Sequence, residues 1–392
     1  MTLRNYKRRK FKRYKQLEQS SIKFIRFIGW EKLKKYEKKK KSLHYKSVKN
    51  IEKNRLLKQK DKAGLISFPS NIDFKEHIDN IELLISKFKY SMKLSSTIIR
   101  IDLSKLNNIS INGLLYLISE IDILQNKKSK KRFNTTREFK YNPKYGVNKN
   151  NKKLKYLLYA IGYWEYFGIK KPYSIDETTK NKYFLSIKSD IISKSHYVAD
   201  LRDFISEKVN FIKNEEIQDY FDDAITEVMA NSVEHGYIKK TSFRTKGKWW
   251  LCGHYDKNSN YLEFSFRDYG VGLRKTLEYN ADDKIKSLYR TLTNTHTTDA
   301  NIIKLLVNDQ LPKYKGKKDK IRGYGFKRFK EFAKNTGYDC DMSIISGNGK
   351  YSYSYNNTTE KELETLTDIN FNIRGFLISW KIYLGENNEI KN

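Results

Sequence analysis

Residues 261–273 read YLEFSFRDYGVGL. In an extended strand alternate side chains share a face, so Leu262, Phe264, Phe266 and Asp268 line one side. The acid thus ends an apolar row that faces the interior. A buried carboxylate needs a hydrogen-bond partner, and the exocyclic amine of a purine is one. Gly270 and Gly272 let the backbone pass close to a ligand and pivot the segment behind them.

Two other stretches carry chemistry of the same kind. Residues 221–237, FDDAITEVMANSVEHGY, read as a helix. Glu227, Asn231 and His235 recur every fourth position and share one stripe of it, and Gly236 ends it. The amide oxygen of Asn231 suits Mg2+, a hard cation that takes oxygen ligands and keeps several waters. The carboxylate of Glu227 is placed to orient and deprotonate a water. Residues 321–332, IRGYGFKRFKEF, put Gly323 and Gly325 before a helix starting near Phe326. Free N–H groups at a helix N-terminus attract anions, and glycines allow close approach. Lys320, Arg322 and Lys327 add positive charge there. Each stretch alone is unspecific: polar helix faces, glycine turns and loop-to-helix junctions are common.

In this order the three stretches resemble the asparagine box and the two glycine boxes of the GHKL ATPase superfamily (gyrase B, heat-shock chaperone, histidine kinase, mismatch-repair ATPase). The likeness spans about residues 196–392. EVMANSVEHGY is most similar to the anti-sigma factor serine kinases. The resemblance implies a Bergerat-type two-layer α/β sandwich that binds ATP with Mg2+. Glu227 would be the general base and Asn231 the Mg2+ ligand. Asp268 would read adenine. His235, Gly270, Gly272, Arg322, Gly323 and Gly325 would shape the nucleotide pocket, and residues 273–322 would be a mobile lid. One departure lies at Gly375-Phe376, where members often have Gly-Thr. Histidine kinase is disfavoured, because His44, His77 and His196 do not sit on a helical hairpin ahead of the ATPase region.

Outward from this region the fold class reads as α/β. Strand-like runs are expected at 248–255, 261–267, 342–346, 351–355 and 375–384, behind helices at 198–212 and 215–234. SGNGK at 346–350 signals a hairpin turn. Upstream, a linker is expected near 175–195. Residues 61–175 alternate strands and helices: strands at 63–69 and 97–103, and helices at 74–92, from Gly113 to about Leu124, and at 154–169. IIRIDLSKLNNISINGLLYL (98–117) resembles the STAS fold of anti-sigma factor antagonists. Regulated members carry a phosphorylatable serine where this chain has Ile111. Ser110 is adjacent, but one position on a helix turns a side chain by about 100°, so this region reads as an interaction module.

The charge is unevenly spread. In 392 residues, 79 Lys and Arg face 45 Asp and Glu, a net +34. Residues 1–60 carry a net +19 and residues 127–155 a net +11, so two stretches hold nearly all of the excess. Such patches attract polyanions: nucleic acid, anionic lipid or an acidic protein face. Mean hydropathy is −0.77, and no apolar run approaches the ~20 residues of a membrane span. Cys252 and Cys340 make neither a disulfide framework nor a zinc site. The expected setting is the cytoplasm. The expected activity is that of an ATP-gated switch with hydrolysis, acting as a monomer or homodimer. A protein serine/threonine kinase and a non-hydrolysing ATP-dependent interaction module are the alternatives.

Overall fold

The computed structural model describes residues 65–93, 100–129, 140–141, 147, 150–166, 183–192, 195–206, 215–234, 248–278, 297–310, 314–315, 321–322 and 325–385. The chain divides into two compact units, 1–63 and 64–392, and every described residue belongs to the second. The basic 1–60 segment and most of 127–155 lie outside the described residues.

The first part of the unit contains strands β1 (Leu65–Ser67) and β2 (Asn71–Ile72), helix α1 (Ile78–Lys93), and strands β3 (Arg100–Asp102) and β4 (Asn108–Ile109). Helix α2 (Ile111–Ser129), strand β5 (Lys140–Tyr141) and helices α3 (Lys152–Ala160) and α4 (Tyr163–Tyr166) complete it. β1, β3 and β5 form a parallel sheet in the order β1-β3-β5. α1 buries Ile81, Leu84, Ile85 and Phe88, the spacing of one helical face. Ser110 caps α2: its Oγ accepts from the Gly113 amide at 3.3 Å and donates to Asn112 Oδ1 at 2.6 Å. The hydroxyl beside the expected switch position is thus part of a helix start.

The second part contains β6 (Phe184–Asp190), α5 (Ser195–Ser206), α6 (Glu215–Glu234), β7 (Trp249–Asp256) and β8 (Tyr261–Asp268). α7 (Leu273–Glu278), α8 (Asp299–Val307), β9 (Tyr314–Lys315) and β10 (Ile321–Arg322) follow. α9 (Gly325–Lys334), β11 (Asp339–Asn356) and β12 (Lys361–Tyr383) end it. The fold is mixed α/β, as its class was read. A five-stranded sheet runs β11-β12-β8-β7-β6, antiparallel throughout. β6 occupies the stretch expected as a linker. Phe184 and Leu185 are buried there, and their backbone completes the sheet edge against His254 and Gly253.

SGNGK is not a hairpin turn. β11 runs through it with register shifts at Ser346, Gly347 and Gly349, and the chain reverses later, at 357–360. The glycines serve a close approach instead. A Cβ on Gly349 would collide with the backbone of Asp299 and Ala300, where α8 starts. Asp299 accepts the Asn348 amide at 2.8 Å, which fixes α8 against this β-bulge.

Both faces of the large sheet are covered. On one, Leu262, Phe264 and Phe266 pack with α5, α6, α8 and α9; Phe221 meets Phe264 at 5.9 Å and Phe332 at 5.3 Å. On the other, α2 lies across β7, β8 and β12, and Trp250, Cys252, Ile345 and Leu377 join the core around Leu114 and Ile118. The two-layer arrangement expected for 196–392 therefore gains a further layer from the N-terminal half.

A methyl at position 349 has a backbone in its path. Gly349→Ala is expected to cost about 1–3 kcal/mol of stability. Its urea unfolding midpoint should fall measurably below that of the parent chain.

Candidate functional site

β8 delivers Asp268 to the end of its apolar row as anticipated, and the residue is 4% exposed. Its Oδ1 accepts the Phe376 amide from β12 at 2.6 Å, and the Gly270 amide also donates to it. Gly375 adopts φ +74°, and a Cβ there would strike both the main-chain and side-chain oxygens of Asp268. Glycine is required on both counts. Burial pushes the Asp268 carboxyl up to about 6, against the pull of the two amides and of Arg267 and Arg374.

Ser346 ties the neighbouring segments together. Its Oγ donates to Gly375 O at 2.7 Å and accepts the Leu273 amide at 3.1 Å. β11, β12 and the start of α7 thus meet at the turn carrying Gly270 and Gly272. Gly272 has φ +87°, a conformation that favours glycine. A cleft of about 230 Å³ opens beside this turn. Leu273, Ile302, Ile303 and Ile373 line it together with Arg274 and Arg374. Of the site residues expected from sequence, Gly272 alone lines it among the described residues. Arg274 pairs with Asp299 and donates to Thr297 O at 2.6 Å.

The remaining expected residues are placed to different degrees. Glu227 is half-buried on α6. Asn231 lies on the same helix, between the buried Val228, Met229 and Ser232, and its side chain is outside the described residues. His235 and Gly323 are also outside them. Arg322 ends β10, and Gly325 opens α9. The first ring of α9 reaches the acid's surroundings: Phe326 packs edge-on to Phe376 at 6.0 Å, and the Phe376 amide is the one that holds Asp268. Phe376 also stacks on Phe266 at 6.0 Å. Val228 and Met229 of α6 belong to this same core. The structure therefore brings the last turns of α6, the end of β8 and the start of α9 to one face of the sheet.

The expected lid is altered in one part. Residues 299–307 form α8, with Ala300, Ile302, Ile303 and Val307 buried. Four core side chains thus anchor this part of the expected lid. Within the expected 273–322, residues 279–296, 311–313 and 316–320 lie outside the described residues.

Sequence reasoning passed over Ser346 and the Phe376 amide. Neither carries a local signal, because the amide acts by its register opposite β8 and the serine was read as part of a turn. At 376 the ring fills the core while the backbone amide fixes the acid. Cys252 and Cys340 are buried free thiols. Among the described residues no helix is long and apolar enough to cross a membrane, and no three His, Cys, Asp or Glu side chains gather to hold a metal ion. No protein-family model matches this chain, and comparison with curated proteins finds no match.

The raised Asp268 carboxyl makes a signed prediction. A folded-state value near 6 against 3.8 for the free group means that the native state holds the extra proton between those pH values. Stability therefore falls as pH rises from about 4 to about 6, by about 3 kcal/mol, and is level above that. Asp268→Asn removes the cost. Urea unfolding should show the variant more stable than the parent at pH 7.5, with the gap closing by pH 4.

Proposed function

We propose that this chain binds Mg-ATP and works as an ATP-gated conformational switch that hydrolyses its nucleotide. Its basic segments, 1–60 and 127–155, would engage nucleic acid or an acidic protein partner. In finer architecture residues 64–392 would combine a STAS-like part with a Bergerat-type ATPase part. The reading rests chiefly on one observation: a carboxylate is kept buried and ionisable at a glycine turn, clamped by an amide of the neighbouring strand. A group so costly to desolvate marks functional positions more often than ordinary ones. It lies at the strand end where Phe376, Phe326 and the core face of α6 meet, and the nucleotide would seat between that strand end and the two helices.

In this reading Asp268 accepts the exocyclic amine of adenine, and the Gly270–Gly272 turn lets the base and sugar approach the backbone. The start of α9 at Gly325 would offer its first-turn amides to phosphate oxygens. Glu227 orients the attacking water and takes its proton. By residue type this helix suits a metal of the Mg2+ kind: Asn231 would contribute one carboxamide oxygen, and such an ion needs few protein ligands when phosphates and waters supply the rest. Bound there, Mg2+ would neutralise charge that builds up on the phosphates.

Isothermal titration with ATP and Mg2+, paired with phosphate release, tests the reading. Asp268→Asn should weaken binding about 10- to 100-fold, the worth of one buried hydrogen bond. Glu227→Ala should bind normally and lose about 10²- to 10⁴-fold in turnover. Normal ATP affinity in the Asp268 variant overturns the adenine assignment. Label passing from the γ-phosphate to a protein would replace hydrolysis by a kinase activity, and binding with neither would leave an interaction module. Partner binding through the basic segments should weaken steeply with salt.

A further inference from the structure

Asp268 and Arg267 are consecutive on β8, so their side chains leave on opposite faces. Asp268 faces the helical layer. Arg267 faces α2 and is fully buried, at 0% exposure. Its guanidinium makes three hydrogen bonds. Nη2 donates to Glu120 Oε1 at 2.6 Å, Nε to Ser119 Oγ at 2.7 Å and Nη1 to Arg374 O at 3.1 Å. The Tyr116 ring lies 4.3 Å from the guanidinium carbon. Tyr116, Ser119 and Glu120 are three successive contacts of one α2 face. Arg374 directly precedes Gly375 and Phe376, the pair that shapes and clamps Asp268. Arg267 thus links α2 to both strands of the clamp: to β8 through its own backbone and to β12 through the Arg374 carbonyl.

We propose that Glu120 is a positioning residue for Asp268: by holding Arg267 on the far side of β8, it sets the register of the two strands that present the carboxylate to nucleotide. This deepens the ATP-binding reading and rests on it. The N-terminal α/β part then sets nucleotide affinity, because a displacement of α2 reaches the site through Glu120 and Arg267. The linkage is reciprocal, so nucleotide at Asp268 favours one placement of α2.

Removing Glu120 alone strands a buried guanidinium, and that variant need not fold. The test is therefore the full chain carrying Glu120→Leu together with Arg267→Met, which removes both buried charges of the pair and fills similar volume. Three quantities are compared with the parent: the unfolding midpoint, the ATP dissociation constant with Mg2+, and hydrogen exchange of the Phe376 amide without nucleotide. The expected result is an unfolding midpoint near the parent's, ATP binding weakened roughly 3- to 30-fold, and faster exchange at Phe376. A stable double variant with parental affinity and parental exchange overturns the positioning role, the pair then serving packing alone. A double variant that does not fold passes the test to Ser119→Ala, which loses one contact to Arg267 and no charge and should show the same two changes in smaller measure. A parent chain that binds no ATP overturns the nucleotide reading itself, and the Phe376 exchange rate still decides whether α2 holds the clamp.

Discussion

The structure hangs on two carboxylates of α2 that are buried where the helix crosses the large sheet. Glu120 meets Arg267 of β8. Asp122 pairs with Lys248 at 2.5 Å and accepts from Tyr166 OH and from Trp250 Nε1, at 2.9 and 3.2 Å. Around them α2 is apolar on every side, with Leu114, Leu115, Leu117, Ile118 and Ile121 all buried. A helix so evenly greasy has no stripe to fix its rotation. Apolar packing alone would accept several azimuths. Only one brings Tyr116, Ser119 and Glu120 over Arg267 while Asp122 reaches Lys248. Buried ion pairs add little net stability over well-packed apolar residues, so what this pair supplies is a unique docking angle between the two halves of the unit.

How much of this was legible in sequence depended on whether the partner was near. Helix α6 was read at its observed bounds, 215–234, because its apolar positions repeat within it. The inward row of β8 was equally plain. The other row, Glu263, Ser265 and Arg267, looks like a solvent face, and Arg267 is nevertheless fully buried. Its partner Glu120 lies 147 positions upstream, and no local pattern reports that. β6 was read as linker for a similar reason: as an edge strand it owes its form to β7, over sixty residues on. The glycines of SGNGK were read as a hairpin turn, and β11 runs through them instead. Their use against the start of α8 depends on a helix some fifty residues away.

The same distinction separates the legible from the illegible parts of the candidate site. Asp268, Gly270 and Gly272 are adjacent, and their chemistry is local. What turns them into a site is long-range. Gly375 leaves room for the carboxylate, Phe376 offers it an amide, and Ser346 binds the turn to two strands. Phe326 then brings the start of α9 to the same place through a ring contact. The contact from position 376 to the acid comes from the main chain.

A carboxylate with its carboxyl raised to about 6 by burial is a poor choice for a core. Asparagine would accept the same Phe376 amide without the desolvation cost. Retaining the acid makes sense only if the ionised form does something that an amide cannot. Accepting a further proton donor while one oxygen holds the Phe376 amide would be such a task, since an amide presents only one acceptor oxygen. The cost is borne by the surroundings, in which two backbone amides and the charges of Arg267 and Arg374 all favour the anion. Arg267 is itself affordable only because Glu120 neutralises it from the opposite layer. The acid at the end of β8 is thus sustained in part by a charge on the opposite face of the sheet, and the N-terminal half is part of its electrostatics as well as of its scaffold.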